Sequence, residues 1–317
     1  MRELYPAIEP YDYGHLSVSD QHRVYYEQCG NPEGMPVLVV HGGPGGGCQD
    51  NMRCFFDPAY YRIILVDQRG CGRSLPFCCL EDNNTLSLIE DFERIREHCS
   101  IDQWMLFGGS WGTTLSIAYA QQYPERISKI ILRGVFLATP EETNWLFQEG
   151  GASQIYPEAW QQFIEGFSKD EQQDMMSAYH ARFLALDHGK EAEALARQCL
   201  RWESIMAHLV SDPHQVEREL RDDITQTYSR IICHYAAHQF FLDRALLDGM
   251  DQCQHISCHI VHGRHDVICL PIAAWRLHQA WSNSTIHYVP DGAHSAMDPA
   301  MIDALVTICD SWKGSDG

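Results

Sequence analysis

The chain has 317 residues, 45% hydrophobic and 21% charged, with a formal net charge of -20. This length suits one α/β domain carrying an insertion, or two domains, with ample chain for a large core. The acidic balance argues against nucleic acid, whose phosphates call for Lys and Arg, and against an anionic membrane surface.

The first residues, "MRELYPAIEPYDYGHL", contain no apolar stretch of the kind that opens an export signal, and no run approaches the about 18 apolar residues of a membrane span. A cytoplasmic location is therefore expected. Near the N-terminus, segments around "HLSVSD" and "HRVYYEQCG" alternate polar and apolar residues, which predicts an antiparallel hairpin at a sheet edge. Six short apolar runs follow: "VLVVH" (37–41), "RIILVD" (62–67), "WMLFG" (104–108), "KIILRG" (129–134), "HIVHG" (259–263) and "TIHYVP" (285–290). Continuous β-branched runs of this length fit strands buried on both faces of a parallel sheet. Helical periodicity lies between or after them in "TLSLIEDFERIREHC" (85–99), "TTLSIAYAQQYP" (113–124) and "PAMIDALVTICDSW" (299–312). Strand–helix alternation predicts a doubly wound, mostly parallel α/β sheet.

The alternation stops between about 138 and 251. There "EAWQQFIEGF", "EAEALARQCLRWESIMAHL" and "TYSRIICHYAAHQFFLDRALL" have helical spacing, and much of the chain's negative charge falls in this stretch. The expected organisation is a discontinuous sheet domain, 1–137 with 252–317, and an inserted helical domain, 138–251. The 13 cysteines are scattered without a Cys-x-x-Cys pair, so reduced, mostly buried thiols are expected. The densest Cys/His stretch, "CQHISCHIVHGRH" (253–265), alternates like a strand, which sends neighbouring side chains to opposite faces and disfavours a metal site.

The strongest chemical signal is "LFGGSWGTTL" (106–115). Gly108, Ser110 and Gly112 form Gly-x-Ser-x-Gly between an apolar run and a helix, the context of a nucleophile elbow. The turn is sharp enough to require neighbours nearly free of side chain, and it exposes the serine hydroxyl at the carboxyl edge of the sheet. A serine needs a base, and the base needs an orienting acid. Asp266, in "VHGRHDVI", follows a strand, and His294, in "VPDGAHSAMDP", lies between the last strand and the last helix. Ser110 as nucleophile, Asp266 as acid and His294 as base fit the Ser…Asp…His order of the α/β-hydrolase fold. His262 is expected to pack on a strand, and His265 lies too close to Asp266 in sequence to receive its carboxylate. Attack at a carbonyl also needs donors for the oxyanion. One is expected from the Trp111 amide and one from the glycine loop "VVHGGPGGGC" (39–48). That loop lacks the Gly-Lys-Ser/Thr ending of a phosphate-binding loop.

These motifs, with "HGGPGGG", "DQRGCGRS" (67–74), "GGSWGTTLSIAYAQQYPE" (108–125), "LRGVFLATPEE" (132–142), "WLFQEGGASQIYPEAW" (145–160), "RWE" (201–203), "GRHDVICL" (263–270) and "GAHSAMDP" (292–299), resemble the proline iminopeptidases, from about residue 5 to about residue 312. The resemblance implies an α/β-hydrolase serine peptidase with a helical cap, releasing N-terminal proline from short peptides without metal or other cofactor. It implies Gly43 and Trp111 as oxyanion donors, Glu203 as the cap carboxylate that holds the substrate's α-amino group, and Phe136 and Phe147 in the substrate pocket. The chain departs from the family pattern where Ile-Glu-x-His-Tyr-Phe is replaced by "IICHYA" (231–236). A second amine-binding glutamate thus falls on Ile232 and a pocket aromatic on Ala236, while Phe147 stands where a tyrosine is usual. One carboxylate should hold an ammonium less firmly than two, and Ala236 should widen the pocket. An esterase, amidase or lactonase using the same triad on a non-peptide acyl substrate is the alternative. A non-catalytic binding protein would predict a damaged triad or oxyanion loop, and the sequence displays neither.

Overall fold

A computed structural model describes residues 1–186, 189–220 and 222–313. Residues 187, 188 and 221 of the expected insertion, and 314–317 of the expected sheet domain, lie outside the described residues. The described chain builds an eight-stranded sheet: β1 (Asp12–Ser17), β2 (Arg23–Gly30), β3 (Met35–Val40), β4 (Tyr61–Val66), β5 (Trp104–Gly109), β6 (Ile127–Arg133), β7 (Ser257–Gly263) and β8 (Ser284–Val289). Their spatial order is β1-β2-β4-β3-β5-β6-β7-β8, antiparallel at β1/β2 and β2/β4 and parallel from β4 onward. Crossovers run through α1 (Thr85–His98), α2 (Trp111–Gln122) and, near the end, α9 (Pro271–Ala280), and α10 (Pro299–Ser311) follows the last strand.

The continuous apolar runs are explained by the two covered faces of the sheet. Leu38, Val40, Ile64, Val66, Leu106, Ile130 and Ile260 pack with Leu88 and Phe92 of α1, Leu115 and Ile117 of α2, and Leu277 of α9. Their strand neighbours Val37, Val39, Ile63, Leu65, Met105, Ile131 and Val261 join the opposite cluster, with Phe55, Phe56 and Met301 and Leu305 of α10. Successive residues face opposite sides, so both must be apolar. Each such side chain contributes about 1.5–3 kcal/mol by burial.

Between β6 and β7 lie α3 (Pro140–Phe147), α4 (Pro157–Phe163), α5 (Met175–Ala185), α6 (Lys190–Met206), α7 (Pro213–Glu219) and α8 (Asp222–Ala237). Their apolar faces form a core of their own, including Phe147, Trp160, Phe163, Tyr179, Trp202 and Ile232. Phe136 and Ala236 pack against both this core and the sheet core.

Three features differ from the sequence reading. β2 alternates in sequence but is buried along nearly its whole length. Glu27 lies fully inside because Arg53 Nε (2.6 Å) and Arg73 Nη1 (2.8 Å) both reach its carboxylate. β8 is only half-buried, as an edge strand flanked on one side by β7. The helix expected over 227–247 stops at Ala237. Gln239, Phe240 and Phe241 follow at φ 51°, 55° and 52°, a left-handed run that is unfavourable by roughly 1–2 kcal/mol per residue. Anchoring offsets it: Phe240 is buried against Trp111 and Phe136, and its carbonyl accepts from Thr85 Oγ1.

Candidate active site

Ser110 sits between β5 and α2 with φ 57° and ψ -125°. The crossing is tight on every side. A Cβ on Gly108 would come within 2.5 Å of the Gly112 carbonyl oxygen, and one on Gly112 would collide with the Val40 carbonyl. The turn is held by the Ser110 amide donating to the Arg133 carbonyl (2.9 Å) and the Thr113 amide donating to the Ser110 carbonyl (2.8 Å).

The loops after β7 and β8 bring the other two residues in. His294 Nε2 lies 3.1 Å from Ser110 Oγ, and His294 Nδ1 lies 2.8 Å from Asp266 Oδ2. Asp266 is buried, and its second oxygen accepts from the amides of Ile268 (3.0 Å) and Cys269 (2.9 Å). Burial alone would raise this carboxyl, but His294, His262 and the Cys269 amide outweigh it and hold the group below its ordinary value. The carboxylate therefore accepts from Nδ1–H, which leaves Nε2 free to take a proton from the serine. Gly134, at φ 61°, keeps space for this pair: a Cβ there would stand 3.2 Å from His294 Cε1 and 3.4 Å from Asp266 Oδ2. Arg133, which the sequence reading passed over, donates through Nη1 to the His294 carbonyl (2.8 Å).

His262 is fully buried on β7; its Nδ1 accepts from the Val135 amide (3.2 Å) and its Nε2 donates to the Cys269 carbonyl (2.7 Å). His265 is exposed. His259 of the Cys/His-dense stretch pairs with His287 of β8 (2.9 Å).

The glycine loop begins against the elbow, since a Cβ on Gly42 would lie 3.2 Å from Ser110 Cβ. Gly43 has φ 116°, and a Cβ there would strike the amides of Gly45 (2.6 Å) and Gly46 (2.7 Å). The "DQRGCGRS" stretch fastens this loop. The Gln68 amide donates to His41 Nε2 (3.0 Å), Gln68 Nε2 donates to the His41 carbonyl (3.0 Å), and Asp67 Oδ1 accepts from the Cys48 amide (2.7 Å). Trp111 donates from its indole to Gln68 Oε1 (2.9 Å), so the residue after the serine is tied to the same network.

Glu203, on α6, is buried. Its Oε2 accepts from the Tyr228 hydroxyl (2.6 Å), and its Oε1 has no partner. Burial raises its carboxyl to about 7 against the opposing pull of the Tyr228 bond. Tyr228 has no motif signal; only the helical spacing of α8, which turns it toward α6, could have indicated it. The end of α6 is joined to the His294 loop by the Ser295 amide, which donates to the Ala207 carbonyl (2.7 Å). His208 beside it bridges Asp298 (2.9 Å) and Glu219 (2.8 Å).

The sequence-predicted pocket residues are only partly gathered. Phe147 and Ala236 share the wall of a cavity of about 490 Å³ with Leu137, Met176 and Phe240. Phe136, Glu203 and the serine–histidine–aspartate set do not line it. Ile232 is buried in the helical core rather than on the cavity wall.

A family model described as the alpha/beta hydrolase fold matches residues 35–300. The chain is 43% identical to a proline iminopeptidase of Arabidopsis thaliana, over 100% of this chain and 83% of that protein. It is 44% identical to a probable proline iminopeptidase of Leptolyngbya boryana, over 98% of this chain and 97% of that one. Among solved structures it resembles an alpha/beta fold family hydrolase from Bacillus anthracis (TM-score 0.65, 20% identity, 96% and 99% of the two chains covered).

Proposed function

The chain belongs to the proline iminopeptidases of the α/β-hydrolase fold, and we propose that it releases N-terminal proline from short peptides through an acyl-enzyme on Ser110. In this reading His294 Nε2 takes the hydroxyl proton as Ser110 Oγ attacks the prolyl carbonyl. Asp266 stabilises the imidazolium, and the amides of Gly43 and Trp111 receive the oxyanion. His294 then protonates the departing peptide amine, and water, activated by the same imidazole, frees proline. The helices of 138–251 serve as a cap on a catalytic unit of 1–137 and 252–317. Among the described residues no helix is long and apolar enough to cross a membrane, and we place the enzyme in the cytoplasm.

The observation that carries the peptidase reading is Glu203 Oε1, a buried carboxylate oxygen without a partner on the helix tied to the His294 loop. A free N-terminus is a cation, and an ammonium would satisfy this oxygen with a charge-assisted hydrogen bond. In this reading Phe147 offers apolar surface from the cavity wall, and Phe136, which does not line that cavity, offers apolar surface outside it. The second reading, an esterase, amidase or lactonase, is favoured by Ile232, which offers an amine no second carboxylate. A panel of aminoacyl arylamides and short acyl esters separates the two. Proline arylamide should be hydrolysed, with kcat lowered by about 10⁴-fold or more in Ser110→Ala. Efficient ester cleavage without any proline release would replace the peptidase reading by the esterase one.

A further inference from the structure

Three histidines outside the serine–histidine–aspartate set converge where α5 packs on the end of α8. His180 lies on α5, His234 on α8 and His238 just beyond it, and one ring nitrogen from each lies within 4.8 Å of the others. Among the described residues this is the one such group of three metal-ligating side chains. The rings are close together, with centroids 5.4 Å apart for His180–His234, 5.4 Å for His180–His238 and 4.8 Å for His234–His238.

The surrounding hydrogen bonds determine which nitrogens carry protons. His234 Nε2 faces the Asn83 carbonyl (3.1 Å), and His238 Nδ1 faces the His234 carbonyl (2.7 Å). A carbonyl only accepts, so both of these nitrogens are N–H donors. The lone pairs therefore lie on His234 Nδ1 and His238 Nε2. His234 Nδ1 is shielded from solvent and has no partner, and the same holds for His180 Nδ1. Two buried ring nitrogens without a hydrogen-bond partner are unfavourable for an apo fold. Stacking on Phe241 (5.0 Å, interplanar 9°) fixes the His238 ring. A ligating imidazole with its other N–H on a backbone carbonyl is the usual outer-shell arrangement of metal-bound histidine.

We propose that His180, His234 and His238 bind a divalent transition-metal ion of the zinc type, with water completing a tetrahedral site. An all-imidazole donor set without carboxylate selects zinc-like ions over magnesium or calcium. Ligand nitrogens around tetrahedral zinc stand about 3.3 Å apart for bonds of about 2.0 Å, so nitrogens within 4.8 Å of one another would draw together by up to about 1.5 Å on binding the ion. The ion would cross-link α5 to α8, and α8 reaches the hydrolytic apparatus. Ile231 Cβ would stand 2.9 Å from a Cβ on Gly45, and Tyr235 packs edge-on to Trp111 at 5.0 Å.

The test is calorimetric titration of Zn²⁺ into the chelator-treated full chain. One equivalent should bind with Kd about 10 µM or tighter, and the ion should raise the melting midpoint. His238→Ala, at an exposed position, should weaken binding at least ~10-fold and remove the rise in melting temperature, and His180→Ala should do the same. Co²⁺ substituted for Zn²⁺ should give ligand-field bands without a thiolate charge-transfer band, which separates this site from the cysteines. Absence of micromolar binding, binding unchanged in both variants, or a thiolate signature overturns the proposal. Because binding is read directly, none of these outcomes depends on the peptidase reading.

Discussion

Ser110 holds a backbone conformation, φ 57° and ψ -125°, that a residue with a side chain adopts at a cost of roughly 1–3 kcal/mol. The strand before it and the helix behind it leave no other path, and the glycines at 108 and 112 admit neighbouring backbone where any Cβ would collide. Glu203 stores a second local cost. Its folded value, about 7, exceeds its ordinary 4.5, so the fold binds this proton more tightly than the unfolded chain does. Stability therefore falls as pH rises from 4.5 to about 7 and stays reduced above, by up to roughly 3 kcal/mol. Glu203→Gln cannot ionise. It should be more stable than the parent at pH 8 by about 1–3 kcal/mol in urea melts, with the gap absent at pH 4. The same change should raise KM for proline arylamide at least ~10-fold, the loss of a charge-assisted bond. An unchanged KM removes Glu203 from the amine site.

In the proposed reading, helices α6 and α8 carry the features that bear on the choice of substrate. The end of α6 is latched to the loop of His294 through Ala207–Ser295 and through His208 between Asp298 and Glu219. Those hydrogen bonds, to Asp298 and then Glu219, raise His208 from 6.5 to about 9. The proton is bound more tightly in the fold, so the latch contributes fully below pH 6.5 and is lost as pH rises through about 9. His208→Ala should therefore lose on the order of 2–3 kcal/mol at pH 6 and nothing relative to the parent at pH 10. Equal losses at both pH values would assign His208 to packing alone. On α8, the small side chain of Ala236 lines the 490 Å³ cavity together with Phe147. If that cavity receives the substrate's N-terminal side chain, Ala236→Phe should depress kcat/KM for arylamides of residues larger than proline about 10-fold or more. Proline arylamide should change little. A constant ratio of the two rates would place the side chain elsewhere.

At the scale of the molecule, one sheet edge organises the site. Ser110 follows β5, Asp266 follows β7 and His294 follows β8. In a parallel sheet the loops leaving carboxyl ends emerge on one side, so residues 184 positions apart meet at 3.1 Å. That is why this trio was legible from turn chemistry and chain order alone, with no contact information. The strand runs were legible for a related reason. With both faces covered, the central residues of β3 to β7 meet the same demand for apolar side chains, and the demand is written locally. β2 was harder to read, because Glu27 is polar in sequence yet buried by arginines 26 and 46 positions further on.

The sequence by itself determined the sheet, the elbow, the loops that carry Ser110, Asp266 and His294, and the glycine loop, because each is specified by residues within a few positions of one another. Only the tertiary structure decided the unpaired oxygen and raised carboxyl of Glu203, the left-handed turn at 239–241, the separation of Phe136 from the Phe147 cavity, and the meeting of His180 with His234 and His238. Each of these depends on desolvation or on partners brought together by packing, and a linear pattern carries no record of which surfaces water will leave.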